Sequence, residues 1–388
     1  MLVPKRKSPP TEAGIFTALR TAVERGWLNG KPEQGRWETE TIPLDTPKRM
    51  PNWKPPFIYF GGKAPVAGVV WAGLGNVRNY VEPFFGSGAV LFLRPGGAGA
   101  IETANDTDAL LSNFWRALKA DPDAVADAAD WPVNEADLHA RHLWLVGQRA
   151  RLTEKLMGDP NFHDAKAAGW WVWGINCWIG SGWCSGAGPW VAKDGVLVRE
   201  SGTDYGIKRE LPHLGSTGQG VNRQRPHLGS TGQGECEARR SWLRSYLKVL
   251  ADRLRDIRIC CGNWDRVLGP SVTWKHGLTG VFLDPPYSSS AGRGDNIYAK
   301  DCMDIAYRVR DWALANGDNP LLRIILAGYA GEYRFPPGWR AYTWGTSGGY
   351  ALEGSKDSQG RKNKDKEILW FSPHCIPIPK EYLKCDTA

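Results

Sequence analysis

The chain has 388 residues, of which 42% are hydrophobic and 23% are charged. These proportions supply enough apolar side chains for a large buried core, and they exclude a wholly disordered protein. No apolar run reaches the roughly 18 residues that a membrane-spanning helix needs. The basic start of the chain leads into no apolar signal segment. The sequence therefore predicts a cytoplasmic protein with no membrane partner.

Lysine and arginine together number 49, aspartate and glutamate number 41, and the net charge is +8. A cationic surplus favours a polyanionic partner, because lysine and arginine release condensed counterions from phosphates. Mildly basic proteins without such a partner are nevertheless common. The eight cysteines form no CxxC pair, so the sequence predicts reduced, mostly buried thiols and no metal site.

The predicted α/β pattern starts after a basic, proline-rich arm over residues 1–55. Segment 79–93 (NYVEPFFGSGAVLFL) predicts a buried strand, a glycine turn and the start of a helix. The next segment, AIETAND, predicts a second strand that ends at Asp106, and apolar residues at helical spacing predict a helix over 107–119. This order of elements is typical of the opening of a doubly wound α/β domain.

Residues 123–235 interrupt the pattern and predict an inserted region. Segment 123–160 has the composition of charged helices, and a tryptophan-rich stretch follows over 170–190. The nonapeptide PHLGSTGQG occurs at 212–220 and again at 226–234, and two polar copies are too few for a solenoid. We interpret the repeat as part of a flexible, glycine-rich basic loop.

The α/β pattern resumes after the insertion. An amphipathic helix from Cys236 has a predicted apolar face of Trp242, Leu243, Tyr246, Leu247, Leu250 and Leu254. The strands that follow are RICCG, VFLDPPY and LLRIILAGY, with a helix over 301–316 and a closing antiparallel pair, WRAYTWG and KEILWF. The sequence thus predicts an α/β core over 56–122 and 236–375, and a tail over 376–388.

The tetrapeptide Asp284-Pro285-Pro286-Tyr287 follows a predicted strand. Two prolines cannot continue a strand ladder, so the chain must leave the sheet at its carboxyl edge, where α/β folds bind ligands. A carboxylate beside an aromatic ring suits a planar amine, which can donate to the carboxylate while its ring stacks. A solvent-exposed turn without function is the alternative, because DPP also occurs by chance.

Two further motifs carry glycines. In the turn from Glu82 to Gly88, the glycines allow a ligand close to the backbone, although the pattern departs from the dinucleotide-binding GxGxxG. Asp106 ends the next strand, as a ribose-binding carboxylate should, and it could also cap the helix over 107–119. In the segment Tyr59–Lys63, the lysine could reach over a polar ligand or belong to a plain surface turn.

The order FGGK, EPFFGSG and DPPY resembles that of the Dam-type DNA adenine-N6 methyltransferases. The ending KEILWFSPHC is similar to that of phage and prophage members, some of which serve restriction-modification. The resemblance covers roughly 57–119 and 240–372, and the insertion falls where that family places its DNA-reading part. It implies a Rossmann-like, S-adenosylmethionine-dependent methyltransferase fold, with 123–235 as the target-recognition region.

The resemblance also implies roles for individual residues. The turn residues would hold the methionine moiety of the cofactor, Asp106 would bind its ribose hydroxyls, and Tyr59 and Lys63 would close the pocket. The implied cofactor-binding residues are Tyr59, Gly62, Lys63, Glu82, Pro83, Phe84, Gly86, Ser87, Gly88, Asp106 and Asn263. The implied catalytic residues, which would hold a flipped adenine, are Asp284, Pro285, Pro286 and Tyr287.

One position departs from the family. Where the family has an acid followed by an aromatic residue, this chain has Asn263-Trp264, and Asp265 follows. An amide oxygen can still accept a hydrogen bond from the cofactor adenine.

The resemblance implies methyl transfer to N6 of adenine in double-stranded DNA and leaves a partner restriction enzyme open. The sequence carries no signal for an oligomer, so it predicts a monomer. Basic residues in or beside the repeat could contact phosphates or guanine edges; they are Lys208, Arg223, Arg225, Arg239 and Arg240. N4-methylation of cytosine, methylation of RNA or protein, and DNA binding by a decayed, non-catalytic fold are the alternatives. A nicotinamide-dependent oxidoreductase fits poorly, because the glycine spacing is wrong for it.

Overall fold

The computed structural model describes most of the predicted core and part of the predicted insertion. The described residues are 55–57, 59, 61–178, 183–184, 190–193, 196–199, 236–286, 297–344 and 367–379. The predicted basic arm, apart from residue 55, and the repeated loop lie outside this set. The predicted division into core, insertion and tail stays a prediction.

Eight α-helices lie in the described residues. They are α1 (Ala67–Leu74), α2 (Ala89–Phe92), α3 (Ala109–Ala120), α4 (Pro122–Ala129), α5 (Glu135–Gly158), α6 (Ala165–Cys177), α7 (Cys236–Leu254) and α8 (Ile297–Asn316). One short 3-10 turn precedes α1. Others follow the third strand of the main sheet in chain order.

Nine strands lie in the same residues. They are β1 (Asn79–Glu82), β2 (Ile101–Asp106), β3 (Trp190–Lys193), β4 (Val196–Arg199), β5 (Arg258–Cys261), β6 (Thr279–Leu283), β7 (Leu322–Tyr329), β8 (Arg340–Trp344) and β9 (Glu367–Phe371). Strands β3 and β4 form a separate antiparallel pair.

The main sheet has seven strands in the order β5-β2-β1-β6-β7-β9-β8. The first five run parallel, and β9 is antiparallel to both β7 and β8. Val81 of β1 pairs with Thr103 of β2 on one side and with Val281 of β6 on the other. The predicted α/β, Rossmann-like methyltransferase fold is confirmed, including the closing antiparallel pair.

Alternate residues of the central strands enter two separate apolar cores, because successive side chains of a strand point to opposite faces. Ile325 of β7 packs in the core that contains α1 and α3, whereas Ile324 packs in the core that contains α8. In β6, Phe282 packs in the first of these cores and Val281 packs in the second. Helices therefore cover both faces of the sheet, as the predicted fold requires.

Several tryptophans of the chain are core residues. Trp115 of α3 and Trp171 and Trp173 of α6 are buried in the same core, where Phe57 contacts both Trp115 and Trp171. Aromatic side chains bury large apolar areas, so this cluster attaches α6 firmly to α3. These three tryptophans are therefore buried in packing and cannot stack on bases.

One sequence prediction about a helix is corrected. Trp242 was expected on the apolar face of α7 but is 42% exposed, and it stacks on Tyr246 at the edge of the face that Leu243 and Leu247 bury. The helix start predicted after the glycine turn is present as the short α2, of four residues.

A buried ion cluster ties α7 to the sheet. Glu102 of β2 lies between Arg94 and Arg253, and its carboxylate oxygens lie 2.9 Å and 2.6 Å from the two guanidinium groups. Glu102 and Arg94 are almost fully buried. Each arginine also donates to a backbone carbonyl, that of Val77 or that of Leu91.

Glu102→Ala should destabilise the protein, because it leaves two arginine charges in the protein interior without their carboxylate. We expect the free energy of unfolding in urea to fall by about 3–5 kcal/mol. The control is Asp252→Ala, which removes an exposed ion pair with Arg255 and should cost less than about 1 kcal/mol. Equal losses in the two variants would show that the cluster is not a buried ion network.

Candidate active site

The order of the strands reverses between β1 and β6. Strands β2 and β5 follow β1 towards one edge of the sheet, and β7 follows β6 towards the other. Connections therefore leave the carboxyl ends of β1 and β6 in opposite directions, and the crevice between them is the standard ligand site of an open α/β sheet. Glu82 is the last residue of β1, and Asp284 directly follows the last residue of β6.

The turn after β1 is held by hydrogen bonds to β2. The N–H of Phe85 donates to the carbonyl of Asn105 (2.9 Å), and the N–H of Gly86 donates to Oδ2 of Asp106 (3.0 Å). Gly86 and Gly88 have φ angles of 48° and 68°, a left-handed conformation in which other residues are strained. Pro83 and Ser87 are buried in this turn.

The side chain of Tyr59 covers the glycine turn. A Cβ atom added to Gly86 would lie 2.8 Å from Cε1 of the Tyr59 ring. The tyrosine is positioned by a tight turn in which the N–H of Gly62 donates to its carbonyl (3.1 Å). Tyr59, which directly precedes FGGK, and the EPFFGSG turn are thus in direct contact, in keeping with the expectation that the two segments share one pocket.

Glu82 is a carboxylate almost without contact with solvent. Burial raises its pKa well above the usual value, and the nearby charge of Asp284 raises it further. The hydroxyl of Tyr80, which is fully buried, donates to Oε2 of Glu82 (2.9 Å) and lowers that pKa. The site therefore holds a carboxylate that would gain from a cationic ligand.

Asp106 ends β2 and keeps some solvent exposure. Burial raises its pKa to about 6, although it accepts from the N–H groups of Gly86 and Asp108. It does not cap α3: Asp108 does, by accepting from the N–H of Leu110 (2.9 Å). The alternative role for Asp106 as the helix cap is wrong, so its carboxylate is available to a ligand.

The residues after β5 lie at the same edge of the sheet. Asn263 is exposed, and its side chain does not cap the 3-10 turn that follows it. Trp264 is buried and faces Phe84 of the glycine turn, with ring centroids 6.3 Å apart. Asp265 forms an exposed ion pair with Arg308 (3.6 Å), so Asn263 is the polar residue next to the aromatic pair.

Asp284 is held by a buried lysine. Its Oδ2 lies 3.0 Å from Nζ of Lys63, which is only 4% exposed and also donates to the carbonyl of Gly61 (2.6 Å). Pro285 is buried and Pro286 is exposed. Tyr287 lies outside the described residues.

Glu367 is a site residue that the sequence reasoning missed. It is the first residue of β9, is almost buried, and its Oε2 lies 3.8 Å from Nζ of Lys63. Burial raises its pKa, while Lys63 lowers it. The signal in the sequence was a glutamate at the start of the apolar strand KEILWF, where a solvent-facing residue would be equally ordinary.

The described residues contain no group of histidine, cysteine, aspartate and glutamate side chains that could hold a metal ion. Cys177, Cys184, Cys261 and Cys375 are buried free thiols, and Cys260 is partly buried. None of the helices in the described ranges is long and apolar enough to cross a membrane.

Gly86→Ala should be costly, because alanine in a left-handed conformation costs about 1–2 kcal/mol and its methyl group would displace the Tyr59 ring. The control is Gly147→Ala in α5, where the methyl group would meet nothing within 4 Å and helix propensity predicts a gain of up to about 1 kcal/mol. The free energy of unfolding in urea should thus change in opposite directions. A gain in both variants would contradict the tight Tyr59–Gly86 contact.

The chain was also compared with known protein families. Residues 59–141 match the family model of the D12 class N6 adenine-specific DNA methyltransferases, and the match includes the FGGK segment, the glycine turn and Asp106. No curated protein matches the chain significantly. The match supports an adenine methyltransferase family and, with the seven-stranded sheet, confirms the prediction that the chain is an enzyme of the DNA methyltransferase class.

Proposed function

We propose that this protein transfers a methyl group from S-adenosylmethionine to N6 of an adenine flipped out of double-stranded DNA. The observation that carries the proposal is the position of Asp284. Its carboxylate, held by Lys63 at the end of β6, lies at the switch point opposite the glycine turn of β1. The proposed acceptor for the amine would therefore lie next to the proposed cofactor pocket.

The residues around the turn fit the proposed cofactor. When bound, S-adenosylmethionine supplies a methyl group on a positively charged sulfur, and it also carries an ammonium group. Glu82 is a buried carboxyl whose pKa burial raises, and a bound cation would stabilise its ionised form. Asp106 can accept from the ribose hydroxyls while it accepts from backbone N–H groups. The exposed amide of Asn263 and the Phe84–Trp264 pair could border the adenine ring.

The residues after β6 would hold the target base. An amine inside a duplex is out of reach, so the base must be flipped at a cost of a few kcal/mol. Stacking on Tyr287 would return about 1–3 kcal/mol of this cost. The Asp284 carboxylate and the Pro285 carbonyl would accept hydrogen bonds from the amine and direct its nitrogen towards the methyl group. Positioning and desolvation, rather than a strong base, would then supply most of the rate acceleration.

The insertion is our candidate for sequence recognition. Residues 123–235 would read the DNA, with contacts from the five basic side chains in or beside the repeat. We propose a Dam-type enzyme of phage-like character that acts as a monomer.

The direct test is incubation with labelled S-adenosylmethionine and unmethylated DNA of mixed sequence, followed by mass spectrometry of the nucleosides. The proposed function predicts N6-methyladenine. N4-methylcytosine would keep the pocket and overturn the choice of base. Absence of any methylated nucleoside, together with absence of cofactor binding by calorimetry, would overturn the proposal in favour of a non-catalytic DNA-binding protein.

Asp284→Ala should lower the methylation rate by at least about a hundredfold, because the amine loses its charged acceptor. The affinity for S-adenosylmethionine should change little, because Asp284 is placed on the base side of the crevice. Initial rates and calorimetry would measure the two effects. Asp311→Ala, at an exposed carboxylate of α8 that pairs with Arg310, is the control and should change neither. Near wild-type methylation by Asp284→Ala would refute the assignment.

Affinity for S-adenosylmethionine should fall as the pH is lowered through about 6, where Asp106 becomes protonated. An ionised carboxylate accepts more strongly from the ribose hydroxyls than a neutral one. Calorimetric titrations between pH 7.5 and 5 would measure this dependence. Asp106→Asn should bind more weakly at pH 7.5 and lose the part of the dependence that is centred near 6; any remainder would come from Glu82.

Protonation of Asp106 does not itself destabilise the folded protein. The folded-state pKa of Asp106 lies above its unfolded value, so the folded protein binds more protons in the intervening range. Its contribution to stability therefore increases as the pH falls through that range. Unchanged affinity between pH 7.5 and 5 would contradict the proposed ribose contact.

A further inference from the structure

Glu367 reaches the crevice because β9 runs against its neighbours. In parallel strands the carboxyl ends meet at one edge of a sheet, and in an antiparallel strand the amino end lies there instead. Glu367 begins β9 and pairs with Tyr329, the last residue of β7, and with Trp344, the last residue of β8. The carboxyl-terminal strand thus contributes its first side chain to the edge that carries Asp284.

The ammonium group of Lys63 lies among three oxygen atoms. They are the carbonyl of Gly61 at 2.6 Å, Oδ2 of Asp284 at 3.0 Å and Oε2 of Glu367 at 3.8 Å. A lysine ammonium has three N–H donors, and Lys63 has almost no contact with solvent. The first two atoms are at hydrogen-bond distance, whereas Oε2 of Glu367 accepts no hydrogen bond within the described part of the chain and acts on Lys63 through its charge. The three oxygens come from separate segments of the chain, which together position the lysine.

Near the single positive charge of Lys63 lie two carboxylates, Asp284 and Glu367. Asp284 lies closer to Lys63 than Glu367 does, and a carboxylate that is strongly neutralised by a cation is a weaker acceptor for an amine. A second carboxylate on the far side shares the ammonium charge. It also keeps Lys63 from moving towards the base side of the crevice.

We propose that Glu367 is a positioning residue for methyl transfer: it fixes Lys63, and through it the Asp284 carboxylate, in the orientation that receives the target amine. This role rests on the proposed function. Glu367 itself would not contact the base, the DNA or the cofactor. Its effect would therefore be on turnover, with little effect on the affinity for either substrate.

Glu367→Gln tests the role, since it removes the charge at nearly constant volume. We expect kcat to fall about tenfold to a hundredfold, the range in which misplacement of a reacting group lowers rates. The KM for DNA and the calorimetric Kd for S-adenosylmethionine should stay within about twofold of wild type, an effect too small for a lost direct contact. The midpoint of thermal unfolding should change little, because Lys63 keeps Asp284 as its counter-charge and the amide is less costly to bury than the carboxylate.

Two further variants separate this role from a general structural one. Asp304→Asn removes an exposed carboxylate from α8 and should leave every parameter unchanged. Lys63→Met should lower kcat strongly, and adding Glu367→Gln to it should cause no further fall, because Glu367 acts through Lys63. Glu367→Asp keeps the charge at a greater distance and should have an intermediate kcat.

The results would separate failure of the positioning role from failure of the proposed function. If wild-type protein methylates DNA and Glu367→Gln has the same kcat, or if the two substitutions lower kcat independently, the positioning role is overturned. A fall in kcat also overturns it if the midpoint of thermal unfolding falls as well, or if the affinity for the cofactor falls by a similar factor. Either result would indicate a structural role. If the wild-type protein methylates no nucleoside, the proposed function fails and the positioning role fails with it.

Discussion

The reversal of strand order between β1 and β6 is the constraint on which the rest of the site depends. Two adjacent parallel strands whose connections leave in opposite directions cannot be covered at their carboxyl ends by the same loop. A crevice therefore opens where Glu82 and Asp284 leave the sheet. Hydrogen bonds between the strands fix the backbone up to the last paired residue, so the side chains at the strand ends have defined Cα positions.

Carboxylates dominate this crevice, and their burial is energetically unfavourable. Burial raises the pKa of Glu82, of Asp106 and of Glu367, so each would be more easily ionised in water. The local structure offsets part of this cost with donors such as the Tyr80 hydroxyl, the Gly86 N–H and the Lys63 ammonium. A cationic ligand would offset more. This arrangement exchanges stability of the free protein for preorganisation of the site.

The sequence predicted the order of the core elements because hydrophobic periodicity and turn residues are local signals. Strand β6 ends at Leu283, immediately before the DPP segment, because prolines cannot continue a strand ladder. The helix signals were less specific. Asp106 was a possible cap for α3 by its position, but the structure gives that role to Asp108. Trp242 is apolar and at helical spacing, yet helical spacing does not tell which neighbours exist to cover its ring.

Glu367 shows what local signals leave out. It is separated from Lys63 by nearly the whole described chain, and it reaches the crevice only because β9 is antiparallel and pairs between β7 and β8. The sequence predicted the antiparallel pairing of β9 with β8, but the residues around Glu367 do not tell that β9 is inserted between β8 and β7. The cluster of Lys63, Asp284 and Glu367 is complete only after the carboxyl-terminal strand has joined the sheet. Closure of the sheet and formation of the candidate active site are therefore one structural event.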